Sequence, residues 1–163
     1  MKMRELTQSS KRLFNFFIYT KMSAIKSLGT KLYKLKKGSE PQDLLIGNLD
    51  SIGEIKIESD EIDVTTLDND TGYKTYIAGY KDAGSVDITG FVETTGEAFE
   101  KLLTLVESQD LENWEIVPNG VTKGNGWKFS GFIKSFGESE SSVDGVRKFS
   151  ASIRISGKPT FGV

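Results

Sequence analysis

Hydrophobic and polar residues alternate along several stretches of the chain with the period of two that marks a strand buried on one face. In Ile52–Ser59 the apolar Ile55 and Ile57 interleave with Glu54, Lys56 and Glu58. The same period returns at Ser85–Thr89 and at Lys148–Ser156. Tyr73–Tyr80 and Trp127–Phe136 are also strand-like, rich in aromatic and β-branched residues, with Gly79 and Gly131 marking bulges or close backbone approach. Asp70-Thr71-Gly72, Asp82-Ala83-Gly84, Asn119-Gly120, Asn125-Gly126 and Asp144-Gly145 supply turns between them. One segment follows the helical period instead: Thr94 and Glu97 form a capping box, and Phe99, Leu102, Leu103 and Val106 then share one apolar face. Ser108-Gln109-Asp110 ends that helix, Trp114 sits in a strand running into Pro118, and the Ser-rich stretch Glu138–Ser142 reads as a loop or hairpin tip. The pattern predicts a mainly β fold: a sandwich or flattened barrel of two antiparallel sheets, with one flanking helix over an open edge or end.

The N-terminal part is less regular. Residues 22–50 read as an arm or first strand followed by a loop, with Lys31, Lys34, Lys36 and Lys37 around Leu32, Tyr33 and Leu35. Such a basic run is ordinarily a solvated face; its functional reading is an arm that docks on an acidic neighbour. Residues 1–21 contain a short apolar run, Leu13–Tyr19, after a basic start. Asn15 interrupts it, no small-residue cleavage site follows, and it is too short to span a bilayer. The expected organisation is an N-terminal extension over 1–21 and a single domain with terminal arms over 22–163, with Met22 as the expected start.

Composition narrows the chemistry. The 163 residues include neither cysteine nor histidine, which removes disulfides, thiolate or imidazole metal sites and the Ser-His-Asp and Cys-His nucleophiles. Residues 1–21 carry five basic side chains against Glu5, so a net charge of −2 for the whole chain leaves the remainder at −6. An acidic body does not grip phosphate, which needs clustered Lys and Arg. The acidic stretch Glu58, Asp60, Glu61, Asp63, Asp68 and Asp70 fails the calcium-loop pattern, because Gly72 falls one place early and position 79 is Gly. A hairpin turn accounts for it. A carboxylate pair for glycoside hydrolysis has no nominated members, and Gly120–Gly126 lacks the Gly-Lys-Ser/Thr ending of a nucleotide loop. The alternating strands instead give a wet face bearing Glu54, Lys56, Glu58, Asp87, Lys148, Ser150, Ser152 and Arg154. In a ring of identical subunits, sheets joined edge to edge would turn such a face towards a bore.

Ser59–Asp68, with its Ile62-Asp63-Val64-Thr65-Thr66 core, followed by the aromatic, Gly-punctuated Tyr73–Tyr80, Asp82-Ala83-Gly84 and the alternating Ser85–Ile88, resembles the major tail tube proteins of long-tailed phages. The resemblance covers Met22–Val163 and leaves out residues 1–21. It implies a sandwich-like subunit with a flanking helix, assembled into hexameric rings that stack into the conduit for DNA ejection, as in contractile tails and type VI secretion. It implies a virion protein made in the host cytoplasm, not an enzyme, with no cofactor, metal or membrane insertion. The loop bearing Asp60, Glu61, Asp63, Thr65, Thr66, Asp68, Tyr73 and Tyr76 would touch an adjacent ring or subunit, and the terminal arms would tie rings together. Glu54, Glu58 and Asp87, partly neutralised by Lys56, Lys148 and Arg154, would line the lumen. Tape measure protein and then DNA would occupy that lumen without sequence-specific binding, and other tail proteins would meet the tube at tip and neck. The competing reading is a solitary carbohydrate-binding sandwich using Trp114, Trp127 and Tyr73.

Overall fold

The computed structural model describes residues 26–40, 42–92, 97–138 and 145–162. The N-terminal extension, Thr94 of the expected cap, residues 139–142 of the expected tip and Asp144 lie outside these. The elements are β1 (Lys31–Lys34), β2 (Leu44–Ile46), β3 (Leu49–Ile52), β4 (Glu58–Asp63), β5 (Tyr76–Asp82), β6 (Ser85–Phe91), α1 (Glu97–Ser108), β7 (Glu112–Val117), β8 (Trp127–Glu138) and β9 (Lys148–Phe161). Seven strands form one antiparallel sheet in the order β2-β1-β7-β8-β9-β6-β3, and among the described residues β4 and β5 pair only with each other.

The expected two packed sheets are therefore halves of one continuous ladder. The reason lies in the length of β8 and β9. Only the start of β8, Trp127 to Gly131, carries β7 on its far side, whereas β8 pairs with β9 from Trp127 to Glu138. In turn β9 carries β6 only along Lys148 to Arg154 and runs on to Phe161. One half is thus β2-β1-β7 with the start of β8 and the end of β9. The other is the end of β8, the start of β9, β6 and β3. Register shifts at Lys128/Ser130 and Ile133/Ser135 fall where β8 passes between the halves, and bulges bend and twist a strand at such a corner.

Both halves feed one core. Leu32, Ile46, Trp114 and Ile116 come from the first, Val86, Ile88, Phe149 and Ile153 from the second, and Leu102 and Leu105 from α1. The alternation read at Ser85–Thr89 and Lys148–Ser156 holds residue by residue: Val86, Ile88, Phe149, Ala151, Ile153 and Ile155 are buried. Gly131 makes the close approach its position suggested, since a Cβ there would lie 2.6 Å from the Arg154 carbonyl oxygen.

Three readings need correction. Ile52–Ser59 is not one strand: β3 ends at Ile52, the Gly53 N–H donates to the Asp87 carbonyl at 2.6 Å, and the chain then leaves the sheet. Ile55 still packs against the core, but Ile57 is 50% exposed. On α1, Leu105 is buried with Leu102 while Leu103 is 42% exposed, so the inner stripe is Ala98, Phe99, Leu102, Leu105 and Val106. Phe99 fixes this orientation with edge-on contacts to Phe136 and Phe149 at 5.3 and 6.0 Å. The basic run is not wholly solvated either, because Lys34 is 1% exposed. Its Nζ donates to both Glu40 oxygens at 2.9 and 2.7 Å and lies 3.5 Å from the buried Glu112.

Candidate assembly surfaces

The β4–β5 hairpin is an arm. Its register runs from Glu58↔Asp82 to Asp63↔Tyr76, with an irregularity between Ser59 and Glu61 where Gly79 lies close to Asp60. Apart from Gly79, every residue of the two strands is exposed. A two-stranded ribbon has no second layer to cover either face. The eight residues expected at a contact, Asp60, Glu61, Asp63, Thr65, Thr66, Asp68, Tyr73 and Tyr76, all lie on this arm or its loop, and all are exposed. What the sequence reading missed is the arm's apolar content: Ile62 and Ile77 sit opposite one another half-exposed, Leu67 and Tyr80 are bare, and Tyr73 is 81% exposed. Ile62 and Val64 already alternate in the sequence; the missing signal was that this ribbon would lack a partner sheet.

The loop joining the two strands is held by its own side chains. Asp63 Oδ1 accepts from the Thr65 N–H at 3.0 Å and the Thr65 hydroxyl at 2.6 Å, and its Oδ2 lies 3.2 Å from Lys74 Nζ. The Thr65 hydroxyl and N–H, then Lys74, lower the Asp63 pKa to about 2. At the tip, Asn69 donates to the Tyr73 carbonyl and accepts from the Thr71 N–H and hydroxyl. Carboxylates here order a turn that presents Leu67 and Tyr73. Among the described residues no group of three or more acidic side chains converges on a metal position.

The six charged residues among the eight expected on a wet face divide. Asp87, Lys148 and Arg154 share the outer face of the β6–β9 half-sheet, joined by Asp50 from β3 and Asp82 from the end of β5. Lys148 Nζ lies 2.7 Å from Asp50 Oδ2, and Arg154 Nη2 lies 2.6 Å from Asp82 Oδ2. These hydrogen bonds, first from Lys148 and then from Thr89, hold Asp50 below the usual carboxylate range, and Arg154 does the same for Asp82. Asp87 accepts from the Ser152 hydroxyl at 2.6 Å. Three acids thus meet two bases on a surface floored by Ser150 and Ser152. Glu54, Lys56 and Glu58 lie apart, on the segment that leads into the arm, where Lys56 pairs with Glu58.

Among the described residues, nothing pairs with the edges of this half-sheet. β3 ends the strand order, and beyond Gly131 β8 has β9 on one side only. An exposed edge is a template for pairing with another chain.

The aromatic residues proposed for a sugar platform do not meet. Trp114 is buried, its Nε1 donating to the Gly131 carbonyl at 3.0 Å; Trp127 packs on Phe161 with ring centroids 5.1 Å apart; Tyr73 is on the arm. Among the described residues no helix is long and apolar enough to cross a membrane.

The family model described as phage tail tube, TTP, lambda-like matches residues 23–162. No curated protein sequence matches the chain. Among solved structures, the tail of an empty gene transfer agent particle, computed with C6 symmetry, superposes with a TM-score of 0.64 at 19% identity, covering 82% of this chain and 96% of that one. The SPP1 tail tube gives 0.64 at 14% identity over 86% of this chain and 80% of that one. The sheath-tube complex of an extracellular contractile injection system gives 0.61 at 12% identity over 87% and 94%. At such identities these likenesses establish the shared fold, and the family match adds the role. The chain belongs to the lambda-like phage tail tube family, and is a structural component of the virion tail rather than an enzyme.

Proposed function

We propose that the chain polymerises as six-membered rings closed through their half-sheets and stacked through their arms. The observation that carries this reading is the combination, among the described residues, of an arm whose apolar side chains the body leaves uncovered with a half-sheet open at both edges. Pairing of β3 with the far end of β8 in the next copy satisfies both edges and continues the sheet around a closed barrel. The six-fold symmetry of the gene transfer agent tail supports six as the ring number. The arm then reaches an adjacent ring, where Ile62, Leu67, Tyr73 and Ile77 find the cover that the described residues of their own subunit do not provide.

In such a ring the face bearing Asp87, Lys148, Arg154, Ser150 and Ser152 lines the bore. Its ion pairs neutralise both bases, and the remaining acid leaves a mild negative excess that repels phosphate. DNA slides past such a wall. Tape measure protein precedes it in the lumen, and tip and neck proteins meet the two ends of the tube.

Electron microscopy of the concentrated full-length protein, alone and with tail-tip proteins as initiator, tests the reading. Hollow stacked rings are expected. A monodisperse monomer under both conditions overturns it.

A further inference from the structure

A groove of about 780 Å³ opens beside β3, walled by Ser27–Thr30, Leu49–Ile55, Ile116, Pro118 and Trp127. It lies where the two half-sheets part, so core residues such as Ile116 form its floor while Leu28 on its rim is 84% exposed. We infer that this groove is the socket for the outer face of α1 from the next subunit in the ring, with Leu103 as the inserted side chain. The inference rests on the ring reading above and names the side-chain half of the contact whose backbone half is β3 against β8.

Two observations select that occupant. The first is position. α1 packs on the part of β8 whose edge is open, as the 5.3 Å contact between Phe99 and Phe136 shows. When β3 of one subunit pairs along that edge, the helix of the other is carried onto the core side of β3, which is where the groove opens. The second is Leu103 itself, an apolar residue that the helical pattern assigns to a buried face and that the subunit leaves 42% exposed. A position whose burial fails within one subunit is a natural place for burial by another.

The chain contains no cysteine, so introduced thiols report on this contact alone. Leu28→Cys combined with Leu103→Cys is assembled into tubes and treated with a short bis-maleimide. A ladder of covalent oligomers ending at the closed ring is expected, with each single variant remaining monomeric on a denaturing gel. Tubes of the double variant that yield no ladder overturn the socket while leaving the ring reading intact; failure of the wild type to form rings at all removes both. Should the paired cysteines themselves block assembly, Leu103→Glu decides. A folded monomer by circular dichroism whose assembly needs a concentration raised roughly tenfold or more supports the socket. Unchanged assembly overturns it.

Discussion

Two ribbons of this chain carry the same kind of residues and meet opposite fates. In β6, Val86 and Ile88 alternate with polar neighbours and are fully buried; in β4 and β5, Ile62 and Ile77 alternate in the same way and remain half-exposed. The difference is what lies behind each ribbon. β6 is sandwiched between β3 and β9 and backed by the other half-sheet, whereas among the described residues β4 and β5 have only each other. Hydrophobic alternation therefore announces a face that requires cover, without saying whether the cover comes from the same subunit. In a monomer the arm is a hydrophobic liability. In the stacked tube proposed above it becomes the contact.

The sharpest test of the contrast starts in the body. Trp114→Ala removes the largest fully buried side chain and leaves the Gly131 carbonyl without its indole donor. A loss of about 3–5 kcal/mol in unfolding free energy is expected by urea denaturation of the unassembled subunit. A loss below about 1 kcal/mol would mean that the core collapses around the gap and the body is no more tightly determined than the arm.

Next comes a buried polar strut that the pattern of the sequence concealed. Lys34 on β1 binds Glu40 of the following loop and faces Glu112 on β7, while Lys101 on α1 approaches Glu40 at 3.4 Å. Lys34→Ala leaves the Glu112 carboxylate, 8% exposed, without its nearest buried cation, and a cost of about 3 kcal/mol is expected in the same assay.

The strut also sets a pH signature. Hydrogen bonds from Lys34 and the Lys37 N–H lower the Glu40 pKa to about 2 from the ordinary 4.5. A carboxylate depressed on folding contributes stability that is complete above its unfolded pKa and is lost as pH falls through the folded one. Thermal melts should therefore decline between about pH 4.5 and 2, and Glu40→Gln should flatten that slope. An identical slope in the variant would assign the acid sensitivity elsewhere.

Much of the fold was legible because local pattern and tertiary burial agree along β6, β9 and the core of α1. The failures are of two physical kinds. The Ile52–Ser59 alternation continues past the edge of the sheet, and nothing in a period of two marks where a neighbouring strand stops. Lys34 looks solvated in sequence because its partners Glu40 and Glu112 come from a loop and from a strand far along the chain. For the candidate surfaces, the acidic and threonine-rich positions of the arm were nominated by family resemblance, while Ile62 and Ile77 passed as ordinary strand residues. Leu103 was assigned inward because its spacing fits a helical stripe, and the stripe is in fact centred on Leu102 and Leu105.

The smallest effect on the subunit should coincide with a complete effect on the tube. Ile62 and Ile77 face each other across β4 and β5, so Ile62→Thr with Ile77→Thr keeps two β-branched residues in register and removes only apolar surface. Neither side chain touches the core cluster, and unfolding of the monomer should stay within about 0.5 kcal/mol of wild type. Electron microscopy of the same preparation should show rings that no longer stack, because the ring edges on β3 and β8 are untouched while the arm has lost its apolar contact. Stacked tubes of normal length from this variant would move the inter-ring contact off the arm. A large loss of monomer stability would instead show that the arm folds back on its own body, which would dissolve the contrast between the two ribbons.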